Sequence, residues 1–342
     1  MRINSKLYDD LENYFSMSVN ELTITTSLEA KDRVEIFSIE KKNKEKREIH
    51  SVDTKTTMWK VQNFLNNKYF YQNNFPEYVF GFLKGKSYFG FLQYHVSKKN
   101  TNNFLKLDIK NFFGSIDTEV LIEDIVNDFE EDTYKKEELK MLFKVVLTYK
   151  DQLPQGFQTS PYLSNYYFLR ADLRIKKYCD KLDFKYSRYA DDIIISTLSK
   201  GEKLFSKGTV SMIDRIIADF DLKLNRSKTR VAKRELVLNG FVISSEVRLS
   251  QSKLKELRRV LFIIEHNQCK NSDQLLDLIN SDKKINSKNK KRYYSTEYLL
   301  KYLSGIRAFL ISSLKNISTK SDWYKTASKL IVRVEAVILK MY

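Results

Sequence analysis

Asp108 closes the short alternating run FLKLDI (104–109), and Asp191-Asp192 stands between two β-rich runs, KYSRY and IIIST. An acid set directly after buried strand residues is costly unless it is paired or binds a cation. Three acids delivered to one place by two strands supply oxygen ligands for hard divalent cations. A pair of Mg²⁺ ions held there stabilises both the attacking and the leaving oxygens of an in-line phosphoryl displacement. On its own, the Asp pair reads as a solvated turn, since Asp is a favoured turn residue. The surrounding sequence decides between the two readings.

Composition narrows the substrate. The 342 residues carry 60 Lys and Arg against 43 Asp and Glu, a net charge of +17. An acidic cluster inside so basic a chain points to chemistry on nucleotides, and the excess charge favours nucleic acid over an anionic membrane surface. Apolar residues at 42% provide a real core and exclude global disorder. Nine Gly and three Pro exclude collagen-like and Pro-rich classes. Cys179 and Cys269 lie too far apart in sequence for a disulfide framework or a Cys-rich zinc site. The N-terminus has no apolar signal region and no run approaches 18 apolar residues, so a cytoplasmic protein without a membrane partner is expected.

Periodicity predicts helices over most of 1–30, then strand, basic turn and strand over 33–52. Further helices are expected at 57–71, 118–129, 134–149 and 208–221. A longer one spans 160–180, with Ser160 as N-cap and Pro161 in the first turn. Residues 236–249 read as a further hairpin. From about 251 the chain becomes basic and helical, with Leu254, Leu257, Val260, Leu261 and Ile264 on one face.

The order of segments resembles the reverse transcriptase family. Tyr189-Ala190-Asp191-Asp192 is similar to its Y-x-D-D signature, and Leu107-Asp108-Ile109-Lys110-Asn111-Phe112-Phe113 to its first catalytic segment. Leu153-Pro154-Gln155-Gly156, ending in Ser160-Pro161, resembles the L-P-Q-G-x-x-x-S-P segment. Leu224-Asn225-Arg226-Ser227-Lys228-Thr229 resembles L-N-x-x-K-T, and Leu238-Asn239-Gly240-Phe241 falls where a primer-grip hairpin belongs. Five segments in order over roughly 45–250 are far more specific than any one alone.

The resemblance implies an α+β right-hand polymerase fold. Residues 1–105 would form N-terminal helices and fingers, with parts of 118–160. The palm would span 106–235, the primer-grip hairpin 236–250 and a basic helical thumb 251–342. It implies two Mg²⁺ ions on Asp108, Asp191 and Asp192, helped by the Ile109 carbonyl. Phe113 would be a steric gate favouring deoxynucleotides. Gln155 and Gly156 would line the nucleotide pocket, and Lys46 and Arg47 would clamp the triphosphate. Lys228 would lie near the pyrophosphate as a general acid, and Tyr189, Gly240 and His95 would face primer and template. Each basic residue reads alternatively as a solvated charge, and Phe113 as an ordinary core ring.

The absence of any recognisable further domain resembles retron reverse transcriptases. Gly81-Phe82-Leu83-Lys84-Gly85-Lys86-Ser87 followed by His95 is similar to a retron segment. The chain departs from the retron Asn-Ala-x-x-His with Phe91-Leu92-Gln93-Tyr94-His95, and from Val-Thr-Gly with Leu238-Asn239-Gly240. The retron likeness implies a cognate non-coding RNA as template and primer, dNTPs as substrates and an RNA–DNA hybrid, multicopy single-stranded DNA, as product. It also implies an effector protein in antiphage defence. Lys253, Lys255, Arg258, Arg259, Lys290, Lys291 and Arg292 would then meet RNA phosphates. The alternatives are another bacterial defence-associated reverse transcriptase with different priming, an RNA polymerase of similar palm design, and a catalytically silent RNA-binding scaffold.

Overall fold

The computed structural model describes residues 6–40, 46–72, 74–97, 102–266, 272–283, 285, 293–315 and 317–341. In chain order the elements are α1 (Leu7–Phe15), α2 (Val19–Asp32), β1 (Val34–Glu40), β2 (Lys46–Val52), α3 (Thr57–Lys68), α4 (Tyr88–Gln93) and β3 (Asn103–Asp108). There follow α5 (Thr118–Asn127), α6 (Thr133–Leu147), α7 (Ser160–Asp180), β4 (Lys185–Tyr189), β5 (Asp192–Thr197) and α8 (Lys207–Ala218). The C-terminal part holds β6 (Arg230–Lys233), β7 (Leu236–Leu238), β8 (Phe241–Ile243), β9 (Val247–Leu249), α9 (Gln251–His266), α10 (Ser272–Ser281), α11 (Thr296–Ser313) and α12 (Asp322–Met341). The architecture is α+β.

The chain divides into two compact units. The first comprises 1–91, 105–197 and 202–231, and the second 92–104, 198–201 and 232–342. In the first, β1 and β2 form an antiparallel ribbon running from Val34 opposite Val52 to Glu40 opposite Lys46. The central sheet has the order β4-β5-β3-β6. Its middle strands are apolar and buried: Leu105, Leu107, Ile193, Ile194 and Ile195 are all fully buried. Helix starts are fixed by side-chain oxygens on free backbone amides: Ser18 at α2, Thr56 at α3, Asp117 at α5 and Asp132 at α6. Helix α7 differs from expectation: Thr159 is the N-cap residue, without a side-chain cap bond, and Ser160 is already helical.

In the second unit, 236–249 is a three-stranded meander, not a single hairpin. The turn Asn239-Gly240 has positive φ at both residues, 50° and 85°. That is the backbone twist a two-residue hairpin loop needs, and it leaves enough chain for β9 to add. Helices α9, α11 and α12 supply a core that includes Leu257, Leu261, Leu303, Leu310 and Val334. None of the described helices is long and apolar enough to cross a membrane.

Candidate active site

The acidic residues meet through the backbone. β4 and β5 pair antiparallel, with Tyr189 opposite Asp192, so Ala190 and Asp191 form a two-residue turn. Ala190 takes φ 54°, the left-handed region. Asp108 is the last residue of β3, and the next amide, Ile109 N–H, donates to the Asp191 carbonyl at 3.0 Å. On the other side Ile109 bridges Leu224. The flanking bonds run from Lys110 N–H to the Lys223 carbonyl and from Asn225 N–H to the Asp108 carbonyl. The Ile109 carbonyl takes part in neither.

Two ammonium groups answer the carboxylates. Lys106 Nζ lies 3.3 Å from Asp108 Oδ2 and 2.7 Å from Asp192 Oδ1. Lys228 Nζ lies 3.0 Å from Asp108 Oδ1 and 3.1 Å from Oδ2. Asp108 Oδ1 is buried and accepts no well-formed hydrogen bond. Burial raises the Asp191 pKa above the ordinary carboxylate range, and the charges of Asp192 and Asp108 raise it further. Burial lowers the Lys228 pKa, but the hydrogen bond to Asp108 and the charges of all three aspartates outweigh it, so the net shift is upward. Among the described residues, no three acidic, His or Cys side chains already form a metal-holding group. The donor set nonetheless suits a hard divalent cation: three carboxylates, Asp108 buried and Asp191 and Asp192 partly buried, one with an oxygen short of hydrogen bonds.

The turn rests on a network the sequence did not announce. Arg188 and Asp172 are both fully buried. The guanidinium grips the Asp172 carboxylate twice, Nε to Oδ1 at 2.8 Å and Nη2 to Oδ2 at 2.6 Å. Its Nη1 donates to Asn165 Oδ1 at 3.0 Å and to the Ala190 carbonyl at 3.1 Å. Tyr186 Oη also donates to Asp172. Segment 78–81 lies parallel beside β4, with Arg188 N–H bonded to the Tyr78 carbonyl and Phe80 N–H to the Arg188 carbonyl. A Cβ on Gly81 would sit 2.5 Å from the Ala190 nitrogen, so only glycine permits this approach.

A cavity of about 410 Å³ is lined by Lys46, Arg47, Asn111, Gly114, Lys150 and Gln155, among others. Arg47 Nε donates to Gln155 Oε1, and His50 N–H to the Gln155 carbonyl at 2.7 Å. The next residue, Gly156, has φ 116°, and a Cβ there would collide with the His50 carbonyl oxygen. Phe113 is buried and meets Phe82 edge-on, with ring centroids 6.0 Å apart; Phe82 in turn lies 6.3 Å from Tyr189.

In the second unit, His95 is 1% exposed, a packing position that speaks against direct contact with primer or template. Gly240 packs against the Lys253 stem, whose Nζ lies 4.7 Å from the Phe241 ring centroid. Arg259 is held by Asp282 at 2.8 Å. Of these expected RNA contacts, Lys255 and Arg258 are exposed. Lys290, Lys291 and Arg292 lie outside the described residues.

Comparison with known proteins follows the same residues. The sequence model of the family described as Reverse transcriptase (RNA-dependent DNA polymerase) matches residues 39–243. The chain is 25% identical over 231 residues to the retron Se72 reverse transcriptase of Salmonella heidelberg, covering 65% of this chain and 58% of that one. It is 28% identical over 251 residues to the retron Ec73 reverse transcriptase of Escherichia coli, covering 69% and 78%. Among solved structures it is similar to a telomerase from Candida albicans in complex with an RNA fragment, at TM-score 0.44 and 14% identity over 93% of this chain and 65% of that chain. A foamy viral protease-reverse transcriptase with double-stranded DNA aligns at TM-score 0.41 and 14% identity, over 90% and 44%. A family match that spans both acidic segments and more than half of the sequence makes the chain a member of the reverse transcriptase family.

Proposed function

We propose that the protein is an RNA-directed DNA polymerase of retron type, copying part of a cognate structured RNA from dNTPs into branched single-stranded DNA. One observation carries the reading: the Ile109–Asp191 backbone bond sets Asp108 beside the Asp191–Asp192 turn, within a family of polymerases. The region 1–105 serves as N-terminal helices and fingers, joined by parts of 118–160, with 106–235 as palm, 236–250 as primer grip and 251–342 as thumb. The net charge of +17 suits a polyanionic partner. The relatives are retron reverse transcriptases by name, and a cognate RNA, an effector protein and a role in antiphage defence are further parts of this proposal, carried by the retron resemblance of the sequence alone.

Asp108, Asp191 and Asp192, with the Ile109 carbonyl, would hold two Mg²⁺ ions, which when bound would supply activation of the primer hydroxyl and offset of charge on the leaving pyrophosphate. Lys46, Arg47 and Gln155 bind the triphosphate in the cavity they line, with Gly156 setting the turn beside it. Phe113 presents a flat ring to the sugar and excludes a 2′-hydroxyl. Lys228, carried beside Asp108, donates a proton to the leaving pyrophosphate. The test is Mg²⁺-dependent dNTP incorporation on a primed RNA template by Asp191→Asn. A metal contribution of several kcal/mol predicts a loss of roughly 10³-fold or more, with unfolding unchanged. Incorporation at the parent rate would refute the assignment.

A further inference from the structure

The polymerase reading gives Lys106 no task, yet its side chain lies inside the acidic cluster. Strand side chains alternate, so Lys106 and Asp108 share one face of β3. The lysine is 6% exposed, and its ammonium bridges carboxylates from two separate chain segments, Asp108 on β3 and Asp192 on β5. Lys228 differs: its side chain is 56% exposed and touches Asp108 alone among the three aspartates. The exposed lysine is free to swing toward solvent or an arriving phosphate. Lys106 is rooted in the buried strand β3 and is itself 6% exposed, with both its ion-pair partners inside the cluster.

Three carboxylates gathered in a poorly solvated place repel one another, and a buried ammonium without partners is equally costly. Each therefore requires the other while no divalent cation is present. A cation entering this face would take over the offset of negative charge and would compete with the ammonium for Asp192 Oδ1 and Asp108 Oδ2. We propose that Lys106 is an internal counter-ion: it holds the acidic cluster together in the metal-free chain and sets the divalent-ion concentration at which the site fills. This rests on the polymerase reading, since it takes the three aspartates as the ion-binding group.

The experiment is thermal unfolding of the full chain without divalent ions and across Mg²⁺ and Ca²⁺ titrations. It compares the parent with Lys106→Met, Lys106→Arg, Asp191→Asn, Asp192→Asn and the Lys106→Met/Asp192→Asn double variant. Lys106→Met is expected to unfold about 2 °C or more below the parent without divalent ions. It should gain more from Mg²⁺, with half-saturation at an ion concentration roughly threefold lower or less. Lys106→Arg keeps the charge and should stay near the parent. In the Asp192→Asn background the Lys106→Met effects should shrink, and this holds as a readout even if the single variant folds poorly. Equal metal-free stability and equal half-saturation for parent and Lys106→Met would overturn the proposal. If Mg²⁺ stabilises the parent, and Asp191→Asn abolishes that gain, such a result removes the counter-ion role alone. An Mg²⁺ response insensitive to Asp191→Asn removes the polymerase reading as well.

Discussion

The Ile109 amide donates to the Asp191 carbonyl at 3.0 Å, joining the end of one strand to the tip of a turn more than eighty residues later. A backbone bond of this kind does not depend on the side chains it positions. Replacing an aspartate therefore changes the chemistry of the site while leaving the scaffold in place, which makes the site open to clean tests.

The support beneath the turn is predicted to be far less tolerant. Asp172→Asn leaves the fully buried Arg188 without its counter-charge and should cost about 3–5 kcal/mol. Replacing both partners by apolar residues, Asp172→Leu with Arg188→Met, should cost less than Asp172→Asn alone. Urea unfolding of the three proteins checks the order. A single variant as stable as the double one would show that the pair is not what holds this region.

Phe113 gives a prediction about sugar choice. Phe113→Val removes the ring packed edge-on against Phe82 and opens space beneath the nucleotide. The ratio of ribonucleotide to deoxynucleotide incorporation should rise roughly tenfold or more. Single-nucleotide extension with each substrate measures it, and an unchanged ratio would leave Phe113 as a packing residue.

Gly156→Ala should separate nucleotide binding from chemistry. At φ 116°, with a Cβ driven into the His50 carbonyl oxygen and 2.9 Å from Ile49 Cγ2, the turn can no longer sit against β2. The cost is about 1–3 kcal/mol of local strain, taken up by moving Gln155 away from Arg47. Steady-state kinetics should show a raised KM for dNTP with a smaller change in kcat.

A pH-dependent contribution resides in the second unit. Arg333 donates to both oxygens of Glu265, at 2.9 and 2.7 Å, and these bonds hold the Glu265 pKa below its ordinary value. A lowered carboxylate pKa stabilises the fold above the unfolded value, near 4.3, and that gain fades as pH falls through the folded value. Both side chains are partly exposed, so the gain is about 1 kcal/mol or less. Glu265→Gln should unfold earlier than the parent at pH 7, and the gap should narrow as pH falls below the unfolded value, about 4.3. A gap that stays constant through the acid range would contradict the linkage.

Much of the site was legible because it depends on local pattern. Apolar alternation in 104–109 and the β runs around Ala190 mark strands regardless of context, with Asp108 at the end of β3 and Asp191-Asp192 between β4 and the rest of β5. Lys106 escapes this reading, although it stands two residues before Asp108 on the same strand face. A lysine between apolar neighbours reads as a solvent-facing residue until the opposing carboxylate is known. Arg188 and Asp172 carried no local signal: sixteen residues apart, on a strand and a helix, they are paired only by tertiary packing. The third strand of 236–249 was hidden for a related reason. Three-residue strands are too short for periodicity to separate a hairpin from a meander. His95, read as facing nucleic acid, lies buried at 1% exposure, and burial depends on tertiary packing that no local pattern announces.

The most direct test of the central claim is anomalous diffraction from crystals of the protein grown with primer–template, a non-hydrolysable dNTP and Mn²⁺ in place of Mg²⁺. The account predicts Mn²⁺ peaks within about 2.2 Å of carboxylate oxygens from both Asp108 and Asp191. Peaks that avoid these two residues, with the nucleotide bound, would contradict it.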